Sequence, residues 1–188
     1  VHQVVPAIAA GCPVIVKPAA ATPLTCKAFV QLLHQAGLPQ DWCQMLLVSN
    51  ALAEKLACDP RVGYLSFIGS GRVGWYLRSK LAPGTRCALE HGGVAPVIVD
   101  ETVDLDAVVA PIVKGAFYHA GQVCVSAKRL YAPRSVAVEL ALKLAQAAST
   151  LKVGDPLDKS TDVGPLIRPD EVDRVDSWVQ EAISAGAK

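Results

Sequence analysis

The sequence predicts an α/β fold, a mostly parallel sheet with helices on both faces in three layers. Strand-like and helix-like segments alternate along the first half of the chain, the pattern that builds βαβ units. The strand segments are near-continuous apolar runs such as Cys12-Pro13-Val14-Ile15-Val16 and Val97-Ile98-Val99. Runs of that kind suit strands buried on both faces better than a half-exposed antiparallel sheet. Composition agrees: 52% of the 188 residues are hydrophobic and only 19% are charged, against roughly 25% charged in ordinary soluble domains.

Each element has a local reason. Residues 1–10 read as an apolar helix stopped by Gly11, followed by a β-branched strand over 12–16 that ends at Lys17-Pro18. Thr22 is placed to cap a helix with Pro23 at its first position. Phe29, Leu32 and Leu33 carry that helix on to Gly37. A strand over 44–48, a short helix over 51–58 and a strand over 62–68 follow. Residues 69–74 open a helix running to about Lys80, and 85–89 and 96–99 are further strands. Beyond Asp100 come a helix over 104–118 that Pro111 should kink, a strand over 128–131 and a helix over 135–149. The last helix, 169–185, puts Val172, Val175, Val179, Ala182 and Ile183 on one face. A boundary near residues 92–96 divides the chain into 1–93 and 94–188.

Several function classes are excluded. The longest stretch without Asp, Glu, Lys or Arg is residues 1–16, interrupted by Pro6, Gly11 and Pro13. It falls short of the roughly 18 apolar residues of a membrane span. The net charge of +1 leaves no basic excess for nucleic acid or an acidic membrane. The six cysteines form no CxxC and the four histidines are scattered, so no metal site is expected. Free, reduced thiols in a soluble cytoplasmic protein follow. The chain begins with Val and opens directly into an apolar helix, so it is expected to be the interior of a longer protein.

Three places can carry chemistry. Gly69-Ser70-Gly71-Arg72-Val73-Gly74 matches GxGxxG between a predicted strand and a predicted helix. There, backbone N–H groups at a helix start can approach a pyrophosphate. The same fingerprint expects an acidic ribose ligand about 20 residues on, and Glu90 stands 21 residues after Gly69. Glu90 lies in Leu89-Glu90-His91-Gly92-Gly93 at the end of an apolar strand, where burial would instead fit it for general-base work. From spacing alone a solvated loop glutamate is an equal alternative. Phe117-Tyr118-His119-Ala120-Gly121-Gln122-Val123-Cys124 places a cysteine after a Gly-Gln turn where a helix could restart, a setting that favours a thiolate. By itself that motif reads first as a buried structural cysteine.

Taken together and in order, these motifs resemble the aldehyde dehydrogenase superfamily over essentially the whole chain. Ala9-Ala10-Gly11-Cys12-Pro13-Val14-Ile15-Val16-Lys17-Pro18-Ala19 with Thr22-Pro23-Leu24 is similar to the family's AAGN-x-VVxKPA…TPL segment. Residues 67–74 are similar to F-T-G-S-T-x-x-G, residues 89–96 to L-E-L-G-G-K-x-P, and residues 117–124 to F-x-x-x-G-Q-x-C. The resemblance implies a Rossmann-like cofactor domain joined to part of a catalytic domain. It implies Cys124 as the nucleophile that forms a thiohemiacetal, and Glu90 as the base that activates water against the thioester. It implies NAD or NADP as cofactor, with Lys17 on ribose hydroxyls, Gly69, Ser70 and Gly74 at the pyrophosphate and Val73 near the adenine. The backbone N–H of Cys124 would supply half of an oxyanion hole.

The departures are informative. Ala20 stands where the family often has a ribose-binding Glu, which leaves NADP open. His91 replaces the usual Leu, Gly71 the usual Thr and His119 a frequent Asn, and residues 48–51 lack a glycine-rich turn common in the family. Family members are more than twice as long, so the isolated piece is expected to be inactive, to expose apolar patches and to self-associate. The whole protein is expected to be a homo-oligomer acting on a small-molecule aldehyde. The competing readings are an acylating or acyl-phosphate-reducing relative, and a non-catalytic nucleotide-binding fragment.

Overall fold

The computed structural model describes residues 1–187. The chain forms two compact units, Val1–His91 and Gly92–Lys188.

In the first unit, α1 (Val4–Ala9) leads to β1 (Val14–Val16), α2 (Pro23–Gln35), a 3₁₀ turn at Gln40–Trp42 and β2 (Cys43–Met45). Then come α3 (Asn50–Ala57), β3 (Tyr64–Gly69), α4 (Gly71–Arg78) and β4 (Arg86–His91). β1 and β2 pair in parallel from Val14↔Cys43 to Val16↔Met45, and β3 and β4 pair in parallel from Tyr64↔Arg86 to Gly69↔His91. Val4, Val30 and Cys43 are buried together, with Ile8, Phe29, Leu33 and Met45 packed around them. Each fully buried aliphatic there contributes about 1.5–3 kcal/mol. Burial and the neighbouring Cys26 push the Cys43 thiol up, so this cysteine stays protonated and inert. Gln3 ties α1 to β3, its Nε2 donating to the Ser66 carbonyl at 2.9 Å.

The second unit holds β5 (Pro96–Ile98), α5 (Leu105–Phe117), a 3₁₀ turn at Tyr118–Gly121, β6 (Arg129–Tyr131), α6 (Arg134–Ser149) and α7 (Pro169–Ser184). β5 and β6 pair in parallel. Val99, Leu105, Ile112 and Leu140 form the core, which packs α5 and α6 against that ladder. Asp104 caps α5, its carboxylate accepting from the Asp106 N–H at 3.0 Å.

The parallel α/β class holds, with differences in extent. Among the described residues the strands form three two-stranded ladders rather than one sheet. Burial along β3 and β4 alternates, so one face of that ladder is covered and the other open. The open faces carry large apolar side chains, including Ile15 at 49%, Ile68 at 52% and Ile98 at 84% exposure. The apolar patches expected from composition are therefore present. The Thr22 side chain makes no cap bond. Ser49, passed over in the sequence, caps α3 by accepting from the Leu52 N–H. α5 runs on through Pro111. The apolar face of α7 is exposed, with Val172 at 54% and Ile183 at 57%.

Candidate active site

The glycine-rich loop sits at the carboxyl end of β3, where ligands of open parallel sheets bind. Ser70 is extended (φ −72°, ψ 145°) and caps α4, its Oγ accepting from the Val73 N–H at 3.4 Å. The first turn of α4 holds no acidic residue. Its leading N–H groups, those of Gly71 and Arg72, have no carbonyl within the helix to bond, and the helix end carries partial positive charge. This donor set fits a pyrophosphate. Val73 is 38% exposed on the same turn.

Gly69 and Gly74 also have a packing reason that spacing did not reveal. A Cβ on Gly69 would stand 2.6 Å from the Phe67 ring, and one on Gly74 would stand 2.2 Å from His91 Nε2. The His91 ring lies edge-on to Trp75 at 5.6 Å and to Phe67 at 6.5 Å between centroids. Its Nε2 is buried without a hydrogen-bond partner.

Glu90 is a strand residue and not a loop residue. It pairs with Ile68 in the ladder, one step before Gly69↔His91, and its residue is exposed. The structure thus brings Glu90 and the 69–74 loop to the same end of two adjacent strands. Lys17 is half-buried just past β1, followed by buried Pro18 and exposed Ala20. A further cluster links α3 to α4: Tyr76 Oη and Lys80 Nζ each donate to Glu54 Oε1 at 2.9 Å. The hydrogen bonds from Lys80 and Tyr76 hold the Glu54 carboxyl below its usual range.

Cys124 belongs to the second unit, in an exposed turn; no helix restarts there. The turn is reached through three successive left-handed residues, His119 (φ 52°), Ala120 (φ 55°) and Gly121 (φ 71°). Only glycine adopts that conformation freely; His119 and Ala120 each cost about 1–2 kcal/mol. Gln122 holds the run in place. Its Nε2 donates to the His119 carbonyl at 2.9 Å, and its Oε1 accepts from the Ile167 N–H at 2.9 Å. Gly93 meets the turn from another side, since a Cβ there would lie 2.5 Å from the Cys124 carbonyl oxygen. Lys128 Nζ donates to the carbonyls of Val123 at 2.8 Å, Ser126 at 3.1 Å and Cys124 at 3.2 Å. Gln122 was visible in the sequence as part of the GQ motif. Lys128 had no sequence signal, because a lone lysine four residues after a cysteine reads as a solvated charge.

The model of the aldehyde dehydrogenase family matches residues 1–188. The chain is 39% identical over 188 residues to the 3-sulfolactaldehyde dehydrogenase of Priestia aryabhattai, covering all of this chain and 39% of that protein. It is 39% identical over 185 residues to an NADP-dependent succinate-semialdehyde dehydrogenase of Escherichia coli, covering 97% of this chain and 38% of that one. Among solved structures, an NADP-dependent enzyme of E. coli superposes with TM-score 0.92 at 38% identity, over 100% of this chain and 39% of that chain. Glyceraldehyde-3-phosphate dehydrogenase of Methanocaldococcus jannaschii, solved with NADP, superposes with TM-score 0.90 at 34% identity, over 98% and 41%. The chain thus spans about two-fifths of the length of the relatives it matches. With the whole of its length matched and its parallel βαβ units superposing on these enzymes, the chain belongs to the aldehyde dehydrogenase family.

Proposed function

We propose that the protein containing this chain oxidises an aldehyde to a carboxylic acid with NAD or NADP. In this reading residues 1–93 are part of the cofactor domain and 94–188 part of the catalytic domain. The observation that carries it is the Cys124 turn: an exposed thiol on backbone clamped by Gln122, Gly93 and Lys128. A nucleophile needs that combination of access and fixed geometry.

The Cys124 thiolate attacks the carbonyl carbon, and the carbonyl π electrons move to oxygen, where the Cys124 N–H stabilises the charge. NAD(P)+, when bound, would supply the hydride acceptor that lets the thiohemiacetal on Cys124 become a thioester. Lys17 would hold its ribose hydroxyls, Ser70 with the Gly69–Gly74 backbone its pyrophosphate, and Val73 its adenine. Glu90 takes a proton from water, the resulting hydroxide attacks the thioester carbon, and the Cys124 thiolate leaves as the acid forms.

An acylating relative would use the same cysteine without a water-activating carboxylate, so the presence of Glu90 favours hydrolysis. The protein is read as a cytoplasmic homo-oligomer. In the whole protein, a pre-steady-state burst of NAD(P)H is expected from wild type and absent from Cys124→Ala. Iodoacetamide is expected to label Cys124 well ahead of exposed Cys12. Undiminished turnover in Cys124→Ala would reject the assignment.

A further inference from the structure

We infer that Lys128 is a positioning residue for the nucleophile turn, aiming the Cys124 backbone N–H at the reacting carbonyl oxygen. This rests on the reading of Cys124 as nucleophile and goes beyond it.

The backbone of Lys128 is fixed just before β6, its N–H donating to the Ala95 carbonyl at 3.3 Å. Lys128 is an exposed residue, yet its ammonium is committed to one turn. An ammonium has three N–H donors, and three carbonyls, those of Val123, Cys124 and Ser126, lie within 3.2 Å of it. Three carbonyls converging on one cation fix the orientation of three peptide planes. All peptide bonds among the described residues are trans, so each carbonyl points opposite to the N–H of the next residue. The Ser126–Ala127 peptide shows the consequence: its carbonyl faces Lys128 while its N–H donates to the Gly115 carbonyl at 3.1 Å.

The same geometry applies one turn earlier. The Val123 carbonyl accepts the shortest of the three bonds, at 2.8 Å, so the Cys124 N–H is directed away from the ammonium. A cation on that carbonyl also polarises the peptide and makes its N–H a stronger donor. The Cys124 carbonyl is held between Lys128 Nζ and the bare α-carbon of Gly93, which prevents the turn from rotating. Without the ammonium, three like dipoles would face one another and the turn would open.

The test is Lys128→Met in the whole protein, which keeps the unbranched apolar stem and removes the donors. Removing an oxyanion donor outright lowers kcat about 10²–10³-fold. Misdirecting one is expected to lower kcat and the burst rate by about 10-fold or more, with KM for the aldehyde and for NAD(P) changing less than about 3-fold. Lys128→Arg, which keeps the charge but spreads its donors in a flat fork that does not match three carbonyls converging on one point, is expected to recover only part of the rate. Wild-type burst rate in either variant overturns the inference, as does a variant whose loss lies in KM alone. Failure of both variants to fold makes the contact purely structural and overturns it as well. Cys124→Ala is run alongside: full activity there rejects the nucleophile reading itself, a result separate from any outcome at Lys128.

Discussion

Gly74 and His91 form a steric pair whose coupling can be measured. In Gly74→Ala the new Cβ would stand 2.2 Å from His91 Nε2, 3.0 Å from its Cδ2 and 3.2 Å from its Cε1. The imidazole must shift, and its edge contacts with Trp75 and Phe67 go with it. Overpacking of this kind costs about 1–3 kcal/mol. In a His91→Ala background the ring is gone, and the same substitution fills an interior helical position. There Gly→Ala gains about 0.5–1 kcal/mol. The sign of the effect therefore reverses, and the coupling energy is about 1.5–4 kcal/mol. Urea unfolding of the four proteins of the cycle, followed by tryptophan fluorescence and by circular dichroism, reads it. Effects that add to within about 0.5 kcal/mol would refute the steric account.

Three further outcomes follow from individual contacts. Glu54 has its folded pKa lowered by hydrogen bonds from Lys80 and Tyr76, so its contribution is present above the ordinary value of 4.5 and lost as pH falls through the folded one. Glu54→Gln should flatten the stability profile across that acid range, and an unchanged profile counts against it. Ser126 is 1% exposed and its Oγ has no partner. Ser126→Ala is therefore expected to be neutral or to stabilise by up to about 1 kcal/mol; a thermal shift showing clear destabilisation would reveal a bond to that hydroxyl. Ala20→Glu in the whole protein should raise KM for NADP about 10-fold while leaving NAD nearly unaffected, since one like-charge contact near the surface is worth about 1–2 kcal/mol; equal effects on both would remove Ala20 from cofactor choice.

The parts of the fold legible in the sequence are those set by local rules. Apolar β-branched runs gave parallel strands, and Gly69 to Gly74 gave a strand–turn–helix whose cap is Ser70. The end of β4 was not legible, because Glu90 and His91 look like loop residues. They are drawn into the strand by parallel pairing in register with Ile68 and Gly69, a tertiary effect that overrides polarity. Ile15, Ile68 and Ile98 are exposed in this chain, in keeping with the expected apolar patches, since an apolar run states what must be covered and not what covers it. Lys128 was invisible because its role depends on three carbonyls converging after a left-handed run at His119 and Ala120, which no propensity foretells. The same run explains why no helix restarts at Cys124.

Glu90 remains the residue with two chemically different readings, and one substitution separates them. By spacing from Gly69 it is a ribose ligand, and by resemblance it is the base for deacylation. Its position at the carboxyl end of β4, beside the 69–74 loop, suits either role. Glu90→Gln keeps the size and removes the charge. If Glu90 is the base, the acylation burst survives, while steady-state turnover falls by about 10²–10⁴-fold, and the thioester accumulates on Cys124, visible by mass spectrometry of the quenched enzyme. If Glu90 binds ribose, saturating cofactor restores turnover, and the loss appears in KM for NAD(P), by about 10–100-fold for one charged hydrogen bond. The base reading is the one proposed above. It is rejected by a variant that turns over at the wild-type rate once the cofactor is saturating.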